Sequence, residues 1–228
     1  MTDPGRVVVE ELIGRFAAAS NLTLLARAQG ALVVYKPTAG VRPLADFAGA
    51  TLAAREVLTY RVAESMGLGI VPETRLGDGP LGPGALQRFV AQDCGFDPLG
   101  LVARVDEALW PVAVLDVVVN NADRKAGHLL AEAGTGRLWA IDHGLTFHPE
   151  AKLRTVLWGF AAQAVPPALL EALQRLEAAL EQGLHHETVE SLGRPEAAAL
   201  RRRVRSFLRR PVHPRPPRDR YPIPWPPY

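Results

Sequence analysis

Residues 106–119, DEALWPVAVLDVVV, are strongly apolar and end abruptly in Asn120-Asn121-Ala122-Asp123-Arg124-Lys125. Such a segment reads as a buried helix, which requires a core around it. The polar string behind it has two readings. It is an elaborate Asn/Asp cap of the helix, or it is a loop that brings charges against the core to do chemistry. Five polar groups exceed what capping alone needs.

The 228 residues suit one medium domain, or an enzyme of two small lobes sharing a cleft. With 48% hydrophobic and 22% charged residues, wholesale disorder is excluded. A net charge of +2 is too small to predict a nucleic-acid binder. The single cysteine, Cys94, excludes an intrachain disulfide framework and a cysteine-based zinc site. The N-terminus has no basic stretch leading into an apolar one, and no apolar run is long enough to span a bilayer, so a cytoplasmic location is expected. Among 26 basic side chains lysine occurs only at Lys36, Lys125 and Lys152. In a chain so rich in arginine, a retained lysine is a candidate for a lysine-specific role.

Residues 7–16, 22–28 and 31–36 read as strands, the last two joined by a Gln29-Gly30 hairpin turn. The stretch 37–48 is a loop, and 50–66 a helix with Gly67 as its C-cap. Strands follow at 70–76 and 85–91 around the turn 77–84; 92–103 reads as loop. After the buried helix, 128–132 and 137–141 flank Gly134-Thr135-Gly136 as a hairpin. Helices at about 166–182 and 186–208 finish the fold, and the Pro/Arg-rich residues from Pro211 are extended or dock back. The class is α+β.

Three chemistry-bearing features fall in order. Lys36 ends a strand, where an ammonium can hold phosphate oxygens; alone it is equally a solvated lysine. Asp123, between Asn121 and Arg124-Lys125, stays ionised and can orient a hydroxyl. Asp142, in Ile141-Asp142-His143-Gly144, stands at a strand end beside a glycine that lets the backbone turn, a good ligand for a hard cation; alone it is an ordinary turn. Phosphoryl transfer needs a cation on the phosphates, a group that positions the acceptor hydroxyl, and a metal carboxylate. The chain supplies the three in that order, and Glu56 on the helix 50–66 is placed to pair with Lys36.

Asn121-x-Asp123-Arg124 with Ala140-Ile141-Asp142-His143-Gly144 resembles the phosphatidylinositol 3-/4-kinase-like superfamily, which includes the HipA-like toxin kinases. Type II phosphatidylinositol 4-kinases carry a similar loop and a similar I-D-H-G string. Through Tyr35-Lys36-Pro37, Arg55-Glu56 and Gly79 to Gly84, residues 7–210 are also similar to an actinobacterial kinase-like family. The resemblance implies a small bilobal protein-kinase-like fold with a strand-rich nucleotide-binding lobe (1–92), a mainly helical catalytic lobe (93–210) and a tail (211–228). It implies ATP and Mg²⁺ or Mn²⁺ as cofactors, with phosphoryl transfer to an alcohol acceptor. By the same resemblance Lys36 contacts phosphates, Asp123 is the catalytic aspartate, and Asp142 binds metal. Lys125 or Arg124 steadies the transferred group. Ser20 and Asn21 cover the phosphates, and Gln87-Arg88-Phe89-Val90 forms the interlobe hinge facing adenine. One departure stands out: His128 occupies the position where the superfamily places a metal-binding asparagine. Imidazole suits Mn²⁺ or Zn²⁺ better than Mg²⁺, so His128 implies another metal preference, a site resting on Asp142 alone, or a nucleotide-binding pseudokinase with a regulatory or scaffold role.

The basic run Arg201 to Arg205, with Arg209 and Arg210, is read as a solvated helix face paired with Glu187, Glu190 and Glu196, against contact with nucleic acid or an anionic membrane. The tail is expected to fold back and bury Trp225 and Tyr228, with a protein partner for its proline-rich stretch as the alternative. Trp110, Trp139 and Trp158 are expected in the core.

Overall fold

A computed structural model of the chain describes residues 7–17, 19, 21–39, 41 and 46–228. The β-rich first part forms β1 (Val7–Arg15), β2 (Leu24–Ala28) and β3 (Ala31–Pro37), then, beyond the helix α1 (Leu52–Met66), β4 (Thr74–Gly79) and β5 (Gly82–Arg88). They close a barrel in the order β1-β2-β3-β5-β4, all neighbours antiparallel except β1 and β4. Closure needs a close approach: a Cβ at Gly77 would lie 2.6 Å from the Val7 carbonyl oxygen. Inside lie Val9, Leu24, Ala26, Tyr35 and Leu86.

Two boundaries differ from the sequence reading. The strand expected from residue 70 starts only at Thr74, because Ile70 and Val71 are buried in the helical core instead. The stretch 77–84, expected as a turn, supplies the end of β4 and the start of β5. Gly77, Gly79 and Gly84 are strand residues against which neighbouring groups press. The Tyr35 ring covers Gly79, and the Lys36 carbonyl crosses Gly84.

The second half is helical around α3 (Trp110–Val119), with α2 (Pro98–Ala103), the short strands β6 (Leu129–Ala131) and β7 (Leu138–Ala140), α4 (Pro167–Ala179), α5 (His185–Leu192) and α6 (Arg194–Arg209). α2 lies in the expected loop 92–103. Asp97 caps it by accepting from Gly100 N at 2.9 Å, and Pro98 starts it. The second expected terminal helix is two helices, broken at Gly193 with φ of 114°. Leu115 and Val118 of α3, Leu173 and Leu176 of α4, and Leu200 and Val204 of α6 share one core. That core also takes Leu58, Val62 and Met66, so α1 packs against α3 and α4 while its loops stay tied to the barrel. Gly67 caps α1 in the left-handed conformation, as expected.

The tail does fold back. Its carbonyls at Pro211, His213, Pro222 and Pro227 accept from the backbone N–H groups of Val165, Ala162, Thr155 and Ala126 at 2.9–3.1 Å. The anchor is backbone rather than aromatic, so the expected burial of Trp225 and Tyr228 does not occur; they are 89% and 60% exposed. Trp110 and Trp139 are buried, whereas Trp158 is half-buried and donates Nε1–H to Pro222 O at 2.8 Å. Nor does the basic run pair as expected. Arg205 faces Glu177 and Glu181 of the α4 region, while Glu187 and Glu196 pair with Arg61 and Arg55 of α1. Among the described residues no helix is long and apolar enough to cross a membrane.

Candidate functional site

The last residues of β3 and the loops after α3 and β7 converge on one cleft. Lys36 lies near the end of β3, opposite Ala85 of β5. Its Nζ donates to Glu56 Oε1 of α1 at 2.5 Å and to Asp142 Oδ1 at 3.3 Å. Burial alone would pull Lys36 down; Glu56 and then Asp142 outweigh it, so its pKa is raised and it is charged at neutral pH. The other Glu56 oxygen accepts the backbone N–H of His143 at 3.1 Å, so one buried carboxylate joins the lysine to the Asp142 turn.

Asp142 lies in the left-handed region at φ of 61°, a conformation that aspartate tolerates better than most residues. The residue that makes the turn is therefore Asp142 itself, and not Gly144, where a Cβ would meet only ordinary contacts at 3.6 Å or more. Burial would raise the Asp142 carboxyl, but Lys36 and then His128 outweigh it and hold it well below the usual range.

The loop after α3 is organised from beneath. Asp116, fully buried in the apolar helix, receives Asn121 Nδ2 at 2.9 Å and Arg124 Nε and Nη2 at 3.0 Å. Arg124 also donates Nη1 to Ile141 O at 2.9 Å and Nη2 to His143 Nε2 at 2.7 Å. The arginine is 0% exposed and tied to the two loops, which corrects the expectation that it steadies a transferred group. Asn121 Oδ1 accepts Asp123 N at 2.9 Å, and this pins the aspartate. Asp123 turns toward the cleft, 3.6 Å from Lys125 Nζ. Burial pushes its carboxyl up against the pull of Lys125, and Asp142 adds to the rise.

His128 lies over Asp142, Nε2 to Oδ2 at 3.2 Å. Its Nδ1 faces the Lys125 N–H at 3.5 Å, which places the ring proton on Nε2. In that tautomer Nε2 donates to Asp142, and it would have to give up that proton to bind a metal. Burial, reinforced by Arg124 and nearby lysines, holds His128 neutral with a pKa of about 4. Among the described residues no cluster of three His, Cys, Asp or Glu side chains forms a complete metal shell. The donor chemistry still fits a hard cation, since Asp142 and Asp123 offer carboxylate oxygens. Such an ion would need phosphates and water for the rest of its shell.

Of the other predicted residues, Asn21 lies in the β1–β2 connection, at the barrel end where Leu24 pairs with Tyr35 beside Lys36. Ser20 lies outside the described residues. Gln87 is buried and donates Nε2–H to Thr74 Oγ1 at 3.0 Å. The Phe89 N–H is taken by Leu32 O at 3.2 Å, so it does not face the cleft. Beyond it the chain crosses to the β6–β7 hairpin, where Asp93 N donates to Ala131 O and Ala133 N to Ala91 O, both at 2.8 Å. Trp139 is clasped there between the guanidinium groups of Arg88 and Arg137, 4.4 and 4.1 Å from its ring centre. Two residues escaped sequence reasoning. Asp116 was legible as the lone carboxylate near the end of an apolar helix. Arg154, whose charge acts on Asp123 and whose Nε donates to Ala122 O at 2.8 Å, carried no local signal.

No protein-family model matches the sequence. The chain is 38% identical, over an alignment 254 positions long, to protein Rv2133c of Mycobacterium tuberculosis, covering 94% of this chain and 91% of that one. The chain belongs to the Rv2133c family. This member of the Rv2133c family also superposes on a solved structure, the Helicobacter pylori proinflammatory kinase CtkA, with a TM-score of 0.59. The match covers 89% of this chain and 92% of that one at 15% identity, and it shows a kinase-like fold.

Proposed function

We propose that the chain is an ATP- and metal-dependent phosphotransferase acting on an alcohol group, built as a bilobal kinase of the phosphatidylinositol 3-/4-kinase-like type. In this reading residues 1–92 hold the nucleotide and 93–210 carry the catalytic loop. The observation that carries the proposal is the Lys36–Glu56 pair meeting Asp142, with Asp123 held across the cleft by Asn121. Lys36 holds nucleotide phosphates, and Glu56 fixes its position. Val90, whose N–H and carbonyl enter no hydrogen bond among the described residues, offers them to adenine at the crossing. Asp123 receives the acceptor proton; its raised pKa brings it closer to that task. Lys125, beside it, and not the buried Arg124, is the cation available to the transferred group. Asp142, with Asp123 near it, would hold Mg²⁺ or Mn²⁺, which supplies charge neutralisation on the phosphates.

A second reading, a nucleotide-binding pseudokinase, is favoured by His128, whose Nε2–H occupies an oxygen of Asp142. Calorimetric titration of ATP with Mg²⁺, with Mn²⁺ and with chelator, on the wild type and on Asp142→Ala, tests both. Metal-dependent binding lost in the variant is expected, together with phosphate release from ATP. Binding without turnover, with turnover appearing in His128→Asn, supports the second reading. Absence of binding under every condition rejects both.

A further inference from the structure

Away from the cleft, α6 (Arg203, Ser206, Phe207), Val117 of α3, Ala162, Arg210 and the segment from Val212 to Arg215 line an open cavity of about 720 Å³. That volume is in the range of small-molecule sites. Its lining includes the arginines Arg203, Arg210 and Arg215, the neutral His213, and the apolar Val117, Phe207 and Val212. No acidic residue contributes to it.

The charge there is uncompensated. Two arginines of the helical half show the compensated case: Arg124 meets Asp116 at 3.0 Å, and Arg205 meets Glu177 at 3.7 Å. Among the described residues Arg203, Arg210 and Arg215 have no carboxylate within 4.0 Å. Arg203 donates Nε to Val118 O at 2.8 Å and Nη1 to His148 O at 3.3 Å, while its Nη2 is buried without a partner. Burial, and then Arg202, pulls Arg203 down to about 10, with no carboxylate opposing them. His213, 1% exposed, is set against the rings of Trp158, Trp110 and Phe160. Its Nδ1 meets the Pro214 carbonyl at 3.0 Å, which leaves Nε2 a bare acceptor that is buried and also without a partner. A guanidinium removed from water with neither counter-ion nor full hydrogen bonding is costly, and an anion relieves that cost.

We propose that this cavity is a binding site for an organic phosphate, with the phosphate on the arginines and an apolar body against Val117, Phe207 and Val212. Arginine forks match phosphate oxygens in pairs, which a lysine cluster does not do. The site stands independently of the cleft, because none of its residues belongs to the Lys36–Asp142 cluster. It is nonetheless wired to the catalytic loop. Arg203 and Asn120 share the His148 carbonyl, and the tail that leaves the cavity reaches Ala126 N through Pro227.

The test is titration of phenyl phosphate into the full chain, followed by amide chemical shifts, with inorganic phosphate as the comparison. Saturable shifts at Ser206, Phe207 and His213 are expected, with inorganic phosphate weaker because it lacks the ring. The double variant Arg210→Gln/Arg215→Gln should weaken binding about tenfold or more, since charged hydrogen bonds are removed. Lys36→Met should leave it unchanged. The control Arg202→Gln/Arg209→Gln removes the same charge from exposed positions that do not line the cavity and should have little effect. Vesicles containing phosphatidic acid form a second arm: binding lost in Arg210→Gln/Arg215→Gln identifies the phosphate as a lipid headgroup at the same site. Shifts confined to the Lys36 cleft, equal weakening by the control pair, or no saturable shift would overturn the proposal.

Discussion

Arg124 shows how little a residue's neighbours in sequence say about which way it faces. It stands between Asp123 and Lys125, both on the cleft, yet its guanidinium runs inward to Asp116, Ile141 O and His143. Removing one partner of a buried ion pair leaves the other charge uncompensated. Arg124→Ala is therefore expected to cost about 3–5 kcal/mol in urea unfolding. The double variant with Asp116→Ala should cost less than the two single losses added together. Arg124→Lys should also destabilise, because an ammonium cannot reproduce the fork on Asp116. Asp123→Asn makes the opposite kind of prediction. The side chain is nearly isosteric and lies at the edge of the cleft, so unfolding should barely change. Phosphoryl transfer should fall by roughly 10²–10⁴-fold in a single-turnover assay, the usual contribution of a positioned base. Full activity in this variant would remove Asp123 from the role assigned to it.

At the level of elements, legibility tracks how local the determining contacts are. The Gln29-Gly30 hairpin and the Gly67 cap were readable because each depends on the conformation of one or two residues. The break at Gly193-Arg194-Pro195 carried the same kind of signal but was overridden by the apolar period running through it. Where β4 begins was not readable, since Ile70 and Val71 suit either a strand or the helical core, and only packing decides. The candidate site divides likewise. Lys36, Asp123 and Asp142 announce themselves by their strings, whereas Asp116 and Arg154 act on the loop from other elements. The tail is the clearest case, because its docking groups are carbonyls, which no side-chain pattern reveals. A chain ending at Arg220 loses the Pro222 bonds to Thr155 N and Trp158 Nε1 and the Pro227 bond to Ala126 N. Each is worth roughly 1 kcal/mol. Hydrogen exchange at the Ala126 and Thr155 amides should accelerate accordingly. The Phe147 amide, bonded to Val119 O inside the core, should exchange as before. Unchanged exchange at Ala126 would mean that the tail does not support the loop after α3.

Across the whole molecule, three histidines on separate elements share one electrostatic condition. His128 covers Asp142, His143 lies beneath it against Arg124, and His213 sits in the aromatic wall beside the tail. Burial lowers the pKa of each, with Arg124 and other cations adding to the shift in the first two. The folded state therefore binds fewer protons than the unfolded chain below the ordinary imidazole pKa. Stability must fall as pH drops through that value and keep falling until the folded histidines themselves titrate. His128, held near 4, should alone account for a loss of about 1 kcal/mol between pH 7 and 5.5, and His143 and His213 act in the same direction. The depressed carboxyl of Asp142 adds its own loss only at lower pH, below the ordinary aspartate range. Urea unfolding at a series of pH values between 7 and 5 checks the sign. His128→Asn should flatten part of the slope while leaving the fold intact, because it removes one of the groups that must stay neutral. A stability that rises on acidification would mean that these rings are protonated in the folded state. The bonds that Lys125 N–H gives to His128 Nδ1 and Arg124 Nη2 gives to His143 Nε2 would then be lost, because a protonated ring nitrogen cannot accept.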